Sequence, residues 1–235
     1  MKTELTPQSL AAYFDQTLLK AYVSDADFQA FCEEADRYGF AMVAINSVPV
    51  KKCKNWLKDS PVHVGAAIGF PLGQTTIEVK VFETEQAIAD GADEIDYVIN
   101  IVELKNRNLA YIEEEMRRIV EVCRRHNKIS KVIFENCYLT DEEKRILCEI
   151  ALKVRPDYIK TSTGFGTPPA GVAVGATLED VRLMKSIVGD AIKVKAAGGV
   201  RTLADARAMI EAGVSRIGTS AGVPIVEELK AELGL

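Results

Sequence analysis

Two lysines stand in short apolar stretches of the sequence, where a charged side chain is unusual. Lys160 lies in "DYIKTS" and Lys195 lies in "IKVKAA". Burial disfavours the protonated form of an amine, and a second cation close by disfavours it further. The free amine that results attacks a carbonyl carbon and forms a Schiff base. The two lysines therefore predict metal-free Schiff-base chemistry of the aldolase type.

Four more ionisable residues stand in predicted strands. Together with the two lysines they make six, of which three are acidic. Asp96, in "DEIDYVIN", is placed to move protons in carbinolamine formation and at the carbon next to the iminium. Asp15, Glu135 and Lys193 are the others. A structural ion-pair network is the competing explanation for the whole set. Lys193 shares a strand face with Lys195, and the adjoining "AAGG" favours Lys195 as the residue that reaches the pocket.

Glycine-rich turns follow the last two predicted strands and indicate an anion site. "KAAGGVRT" (195–202) leads into a helical pattern, and "GTSAG" (218–222) precedes a short C-terminal helix. Such turns leave backbone N–H groups at helix starts free to hold a phosphate monoester. A single glycine pair would be explained by a tight turn, but two turns at the same edge favour phosphate. The residues expected to contact it are Gly198, Gly199, Arg201, Thr219 and Ser220.

These groups are far apart in the chain, so the fold must bring them to one edge. Short β-rich runs alternate with amphipathic helical patterns, which predicts parallel strands with right-handed crossovers. An open doubly wound sheet and a closed (β/α)8 TIM barrel both fit this α/β alternation. Eight strand candidates, 235 residues and the glycines after the last two strands favour the barrel. The strands are predicted at 13–19, 40–46, 62–69, 93–100, 131–136, 157–162, 192–197 and 215–220.

Helical patterns fill most of the gaps between these strands. Asp25, Thr140, Thr177 and Thr202 stand where a helix N-cap is expected, and Glu143 completes a capping box with Thr140. The amphipathic pattern and these signals predict helices at 25–39, 76–91, 108–126, 140–154, 177–189 and 202–213.

The composition indicates one cytoplasmic domain covering residues 1–235. The net charge of −5 argues against a nucleic-acid partner, and no apolar run resembles a signal peptide or a membrane span. Five cysteines without a CxxC spacing indicate reduced thiols, and two distant histidines do not suggest a zinc site. We expect a small-molecule substrate, no membrane, no metal and no other cofactor. The sequence leaves open whether the chain forms a homo-oligomer.

Four motifs together resemble those of the deoxyribose-phosphate aldolases, a family of class I aldolases with a TIM-barrel fold. They are "FDQTLLK", "GADEIDYVIN", "DYIKTSTGFGT" and "VKAAGGVRT", and they occur in the family's order over nearly the whole chain. The resemblance implies reversible cleavage of 2-deoxy-D-ribose 5-phosphate to acetaldehyde and D-glyceraldehyde 3-phosphate. It implies that Lys160 forms the Schiff base, that Lys195 perturbs it and that Asp96 transfers protons. It also adds Gly164 and Gly218 to the predicted substrate-binding residues.

The chain departs from the family pattern at several positions near these motifs. Gln16 stands where the family has histidine, Ala44 where it has cysteine, Ser47 where it has proline and Val102 where it has glycine. The segment "GFGTPPAGVAVGAT" (164–177) is longer and more apolar than usual, and we expect it to lie close to the substrate. Two alternatives therefore stay open: a Schiff-base lyase for another sugar or keto acid, and a barrel that binds a sugar phosphate without catalysis.

Overall fold

A computed structural model describes residues 5–235 and contains a closed barrel of eight parallel strands. Each strand pairs with the next, and the eighth pairs with the first, so the barrel closes in the order β1 to β8. The expected (β/α)8 TIM barrel is confirmed, and the open-sheet alternative is wrong. The strands are β1 (Phe14–Thr17), β2 (Met42–Asn46), β3 (His63–Ile68), β4 (Glu94–Val98), β5 (Ile129–Ile133), β6 (Tyr158–Lys160), β7 (Lys193–Ala197) and β8 (Arg216–Thr219).

Seven strands lie within the predicted runs, and β5 differs. It begins at Ile129 and ends at Ile133, whereas the sequence pattern predicts 131–136. Glu135 has a left-handed backbone (φ 58°), which turns the chain into a single 3-10 turn, η1 (Asn136–Tyr138). A left-handed residue cannot continue a strand, so Glu135 lies after β5 and not on it.

All six predicted helices are present, the predicted C-terminal helix is present at Gly222–Leu233, and three further α-helices lie within residues 5–235. Ser24 caps the helix that starts at Asp25, because the Ser24 hydroxyl accepts the N–H of Asp27; the predicted cap at Asp25 is therefore wrong by one residue. The other three predicted caps are confirmed. The helices are α1 (Pro7–Ala11), α2 (Asp25–Tyr38), α3 (Val50–Trp56), α4 (Ile77–Ala89), α5 (Ile101–Lys105), α6 (Leu109–Arg125), α7 (Asp141–Val154), α8 (Leu178–Val188), α9 (Leu203–Glu211) and α10 (Gly222–Leu233).

Alternate strand residues divide the apolar core from the polar interior of the barrel. Val43, Ile45 and Ile95, for example, are fully buried and belong to the apolar cluster beneath the helices. Their neighbours of opposite parity, such as Asp15 and Asp96, point to the barrel axis. The fold therefore places charged groups in the middle of the barrel. Within residues 5–235, none of the helices combines the length and apolar character that crossing a bilayer requires.

Candidate active site

The register of the strands brings Lys160 beside Lys195. Lys160 is the last residue of β6, and its Cα is paired with Ile133 of β5 on one side and with Lys195 of β7 on the other. Because paired residues of parallel strands point to the same face, both lysines project into the barrel. Lys160 therefore lies at the carboxyl end of the barrel, the end at which TIM barrels hold their active sites.

Asp96 of β4 connects the two lysines. Its Oδ2 atom accepts hydrogen bonds from Lys160 Nζ at 2.8 Å and from Lys195 Nζ at 2.7 Å, and its Oδ1 atom accepts one from Lys131 Nζ at 2.7 Å. All four side chains are buried. The three residues predicted to be catalytic thus meet at one carboxylate.

The environment favours the free amine of Lys160 and the ionised form of Asp96. The pKa of Lys160 is lowered to about 8: burial is the largest cause, Asp96 acts in the opposite direction, and the charge of Lys195 acts in the same direction as burial. Burial alone would raise the pKa of Asp96, but Lys131, Lys160 and Lys195 outweigh it and hold that pKa well below its usual range. Lys195 therefore contributes as expected, but burial is the larger cause of the lowered pKa.

A network of ion pairs continues from Asp96 towards the opposite end of the barrel. Lys195 Nζ lies 2.5 Å from Asp15 Oδ2, and Arg216 contacts both Asp15 and Glu94, the latter at 2.8 Å. Lys131 also contacts Glu94. The ion-pair explanation and the catalytic explanation of the charged residues are therefore compatible, because the reactive lysine stands at the upper end of the network.

The sequence interpretation overlooked Glu94, Lys131 and Arg216. Glu94 stands two residues before Asp96, and Arg216 stands two residues before Gly218, so the period of a strand places each on the inward face. Lys131 begins the predicted fifth strand. The signal was present, but a charged residue at the start of a strand more often lies at the solvated rim.

Lys193 and Glu135 lie outside the cluster around Asp96. Lys193 is exposed at the start of β7, with its Nζ 5.4 Å from the centroid of the Tyr158 ring. Lys195, and not Lys193, therefore faces Lys160. Glu135 is buried, and it accepts hydrogen bonds from the N–H (3.1 Å) and the hydroxyl of Thr163.

A cavity of about 540 Å³ opens above Lys160 at the carboxyl ends of the strands. Gln16 and Ala44, two of the departures from the family pattern, also line it. Asp96 and Lys195 lie beneath its floor, where Asp96 accepts hydrogen bonds from Lys160 and from Lys195. The cavity wall includes all seven residues predicted to bind substrate or phosphate, which are Gly164, Gly198, Gly199, Arg201, Gly218, Thr219 and Ser220.

The two glycine turns form one side of this cavity. Gly198 and Gly199 have φ values of 78° and 82°, a conformation that favours glycine. Helix α10 begins directly after the second turn without a side-chain cap. The hydroxyl of Thr219 donates to Val200 O (2.7 Å) and accepts from Ala221 N (2.9 Å), so it stabilises the turns. The backbone N–H groups of the turns, Ser220 and Arg201 therefore remain available to bind an anion.

The long segment 164–177 turns away from the cavity after its first two residues. Gly164 and Phe165 line the cavity, whereas Pro169 and Val172 lie in a surface groove beside η1, α7 and α8. The segment returns at Gly175, where an added Cβ would lie 2.3 Å from Gly198 O. The start of the segment therefore lies at the cavity as expected, its middle lies away from the cavity, and Gly175 packs against a glycine turn.

Comparison with known proteins agrees with this geometry. The model of the DeoC/LacD family aldolases matches residues 9–226. The deoxyribose-phosphate aldolase of Lactobacillus acidophilus is 53% identical over 228 residues, which cover 97% of this chain and 94% of that protein. Among solved structures, the aldolase QR15 aligns with a TM-score of 0.88 at 40% identity, covering 96% of this chain and 98% of QR15. The tetrameric deoxyribose phosphate aldolase of Aeropyrum pernix aligns with a TM-score of 0.87 at 29% identity, over 97% of this chain and 93% of its own.

The acidic residues of the barrel interior are balanced by cations of the protein itself. Asp15, Glu94 and Asp96 all contact lysine or arginine side chains. Within residues 5–235, no group of three or more His, Cys, Asp or Glu side chains is arranged to hold a metal ion. The reactive group that the geometry offers is the buried amine of Lys160, which lines the open cavity. With this site, a closed barrel and a family match over residues 9–226, the chain belongs to the DeoC/LacD aldolase family.

Proposed function

We propose that this aldolase cleaves 2-deoxy-D-ribose 5-phosphate to acetaldehyde and D-glyceraldehyde 3-phosphate through a Schiff base on Lys160. The observation that carries the proposal is the position of Lys160, whose amine lies at the floor of the cavity and 2.8 Å from Asp96 Oδ2. The names of two relatives that are 53% and 49% identical to this chain, both deoxyribose-phosphate aldolases, support this substrate.

Lys160 acts as the nucleophile. Its free amine attacks carbon 1 of the open-chain sugar, and loss of water from the carbinolamine gives an iminium. The bond between carbons 2 and 3 then breaks as the hydroxyl at carbon 3 loses its proton and becomes the new aldehyde. The bonding electron pair passes into an enamine, which is protonated at carbon 2 and hydrolysed to acetaldehyde and free Lys160.

Asp96 and Lys195 support these proton transfers. Asp96 accepts hydrogen bonds from both amines through one oxygen, so it is placed to take a proton from the nitrogen of Lys160 or return one to it. Lys195 favours the neutral form of Lys160 through its charge. When Lys160 is bound in an iminium, the same carboxylate stabilises the positive charge.

The glycine turns hold the phosphate in this proposal. Gly198 and Gly199 leave their N–H groups close to the start of α9, while Ser220 lies close to the start of α10. Arg201 lines the same cavity and supplies a cation. The phosphate would then lie at the edge of the cavity between β7 and β8, with the carbonyl carbon directed towards Lys160.

The same Schiff-base chemistry on a different sugar or keto acid is the second candidate. It is favoured by Gln16 and Ala44, which stand at family histidine and cysteine positions and line the cavity. A barrel that only binds a sugar phosphate would not need a buried amine beside a carboxylate, so the cluster around Asp96 counts against that alternative.

The structure and the comparisons also support proposals about the domain organisation, the cellular compartment and the assembly of the enzyme. Strands β1 and β8 pair with each other, so we propose that residues 1–235 act as one catalytic domain. Five free and buried cysteines support a reducing compartment such as the cytoplasm. The tetrameric relative of Aeropyrum pernix supports a homo-oligomer.

Turnover assays on a panel of substrates test the proposed function. The purified protein should release acetaldehyde from 2-deoxyribose 5-phosphate much faster than from unphosphorylated 2-deoxyribose. Acetaldehyde should likewise condense with glyceraldehyde 3-phosphate in preference to glyceraldehyde. Equal or faster turnover of the unphosphorylated compounds would favour the second candidate, and no turnover of any pair would favour binding without catalysis.

A further inference from the structure

The segment after Lys160 continues alongside β5 after the two strands have ended. The last paired residues are Ile133 and Lys160. Beyond them, Phe134 N donates to Lys160 O at 3.0 Å, and Asn136 N donates to Thr161 O at 2.9 Å. The chain between 134 and 136 is therefore held against the reactive lysine by main-chain hydrogen bonds.

Glu135 stands in the middle of this contact with an unusual backbone. Its φ of 58° lies in the left-handed region, which is unfavourable for residues with a Cβ and is found mostly in glycine, asparagine or aspartate. Its side chain is also almost fully buried, with 1% of its surface exposed. Strain and burial at one carboxylate persist when the surrounding contacts compensate for them, and such residues cluster at functional sites.

Hydrogen bonds from Thr163 to the carboxylate of Glu135 compensate for this backbone strain and burial. The carboxylate accepts the N–H of Thr163 at 3.1 Å and also the hydroxyl of Thr163. The same hydroxyl oxygen accepts the N–H of Phe165 at 2.9 Å. One carboxylate thereby closes the turn that begins three residues after Lys160.

This turn forms part of the cavity wall. Thr163, Gly164 and Phe165 line the cavity together with Lys160. Behind them the packing is tight, since a Cβ added at Gly166 would lie 2.5 Å from Cys137 Sγ. A change in the turn therefore alters the wall directly beside the amine.

We propose that Glu135 is a positioning residue that fixes the direction of Lys160 by holding the Thr163 turn, without touching the reacting atoms. The inference rests on the proposed Schiff-base function. Burial raises the pKa of Glu135, while the hydrogen bonds from Thr163 and the charge of Lys160 act in the opposite direction. A carboxylate accepts both donors of Thr163, whereas the amide of glutamine accepts only one of them.

Kinetics of four variants test this link. Glu135→Gln and Thr163→Val should each lower kcat by about 10- to 100-fold, because small misplacements of reacting groups have effects of that size. KM should change much less, and Thr163→Ser, which keeps the hydroxyl, should restore most of kcat. The double variant should be no slower than the slower single variant, since both substitutions break the same link.

Glu143 provides a matched control. Glu143 Oε2 accepts the N–H (2.8 Å) and the hydroxyl (3.1 Å) of Thr140 in the capping box of α7, which repeats the glutamate–threonine arrangement outside the cavity wall. Glu143→Gln should lower the melting temperature and leave kcat near the wild-type value. Equal losses of kcat in both glutamine variants would show that Glu135→Gln acts through general destabilisation. That result would overturn the proposal.

The rate of adduct formation with acetaldehyde and borohydride separates this inference from the proposed function. Acetaldehyde has no phosphate, so the assay reports the reactivity of Lys160 whatever the natural substrate is. Absence of an adduct in the wild type would refute the Schiff-base function itself. A wild-type adduct that forms equally fast in folded Glu135→Gln and Thr163→Val would refute the role of Glu135 alone. If Glu135→Gln does not fold, Thr163→Val and Thr163→Ser decide the question.

Discussion

Lys160 and Lys195 donate hydrogen bonds to the same oxygen atom, Oδ2 of Asp96, at 2.8 and 2.7 Å. Two like charges that share one counter-ion repel each other, so the pair disfavours the protonated form of the amine nearest the cavity. Burial acts in the same direction and is the larger cause, and together they lower the pKa of Lys160 to about 8. Changes at Lys160, Lys195 or Asp96 should therefore alter both the reactivity and the stability of the protein.

Adduct formation should depend on pH through Lys160. The rate of borohydride-trapped adduct formation with acetaldehyde should rise with pH, with a midpoint close to the Lys160 pKa of about 8. Lys195→Met removes a charge that lowers this pKa, so the midpoint should move to higher pH. Lys193→Met is the control on the same strand, because Lys193 is exposed, and it should leave the midpoint unchanged. A Lys195→Met midpoint at or below that of the wild type would contradict the role of Lys195.

Asp96→Asn should separate Schiff-base formation from turnover. Loss of a positioned proton-transfer group lowers kcat by about 10²- to 10⁴-fold. Asp96 also favours the protonated form of Lys160, so its removal should shift the pH midpoint of adduct formation downwards. Single-turnover trapping and steady-state assays on the same preparation measure both effects. A variant that folds, forms the adduct and keeps wild-type kcat would show that Asp96 has no part in proton transfer.

Lys160→Met should make the folded protein more stable at neutral pH. The folded protein holds Lys160 at a pKa of about 8, below the value of 10.5 for a free lysine, so its buried charge opposes folding at pH 7. Asp96 keeps Lys131 and Lys195 as partners after the substitution. We expect a gain of about 1–3 kcal/mol in the free energy of unfolding.

The pH dependence of this gain provides its own control. Between about pH 8 and the ordinary lysine pKa, the unfolded wild type binds a proton that the folded wild type lacks, so wild-type stability rises with pH. The difference between Lys160→Met and wild type should therefore shrink across that interval in urea titrations. A difference that is constant with pH would show that the effect comes from packing and not from charge.

Gly175→Ala should weaken phosphate binding from behind the glycine turn. The new Cβ would lie 2.3 Å from Gly198 O, a main-chain atom that must move to accommodate it. We expect a raised KM for the phosphorylated substrate and little change for acetaldehyde trapping. Val172→Ala is the control in the same segment, because the Val172 side chain is exposed and lies in the surface groove away from the cavity. Equal KM changes in the two variants would attribute the effect to the segment as a whole.

The sequence predicts the barrel because the strand patterns, the helical patterns and the helix N-caps all indicate the same fold. Seven of the eight predicted strand runs, such as 157–162 around Lys160, contain a whole strand and the eighth overlaps β5, and Thr140, Thr177 and Thr202 cap helices as expected. Short helices such as α3 and α5 were not predicted, because five to seven residues give too little periodicity.

The part of the site that could be predicted consists of charged residues that stand in otherwise apolar strands. Lys160, Lys195 and Asp96 stand out for that reason, and the register brings them together. Glu135 was expected on a strand, because a left-handed glutamate has no signal in the sequence. The course of residues 164–177 was equally hidden, since it depends on the contact of Gly175 with Gly198.

Borohydride trapping with 2-deoxyribose 5-phosphate, followed by peptide mapping, identifies the residue that forms the Schiff base. We expect one covalent adduct on Lys160, and none in Lys160→Met under the same conditions. Lys195→Met at raised pH should still carry the adduct on Lys160, because Lys195 acts through its charge. An adduct on Lys195, on Lys131 or on an exposed lysine such as Lys193, with Lys160 unmodified, would refute Lys160 as the Schiff-base residue.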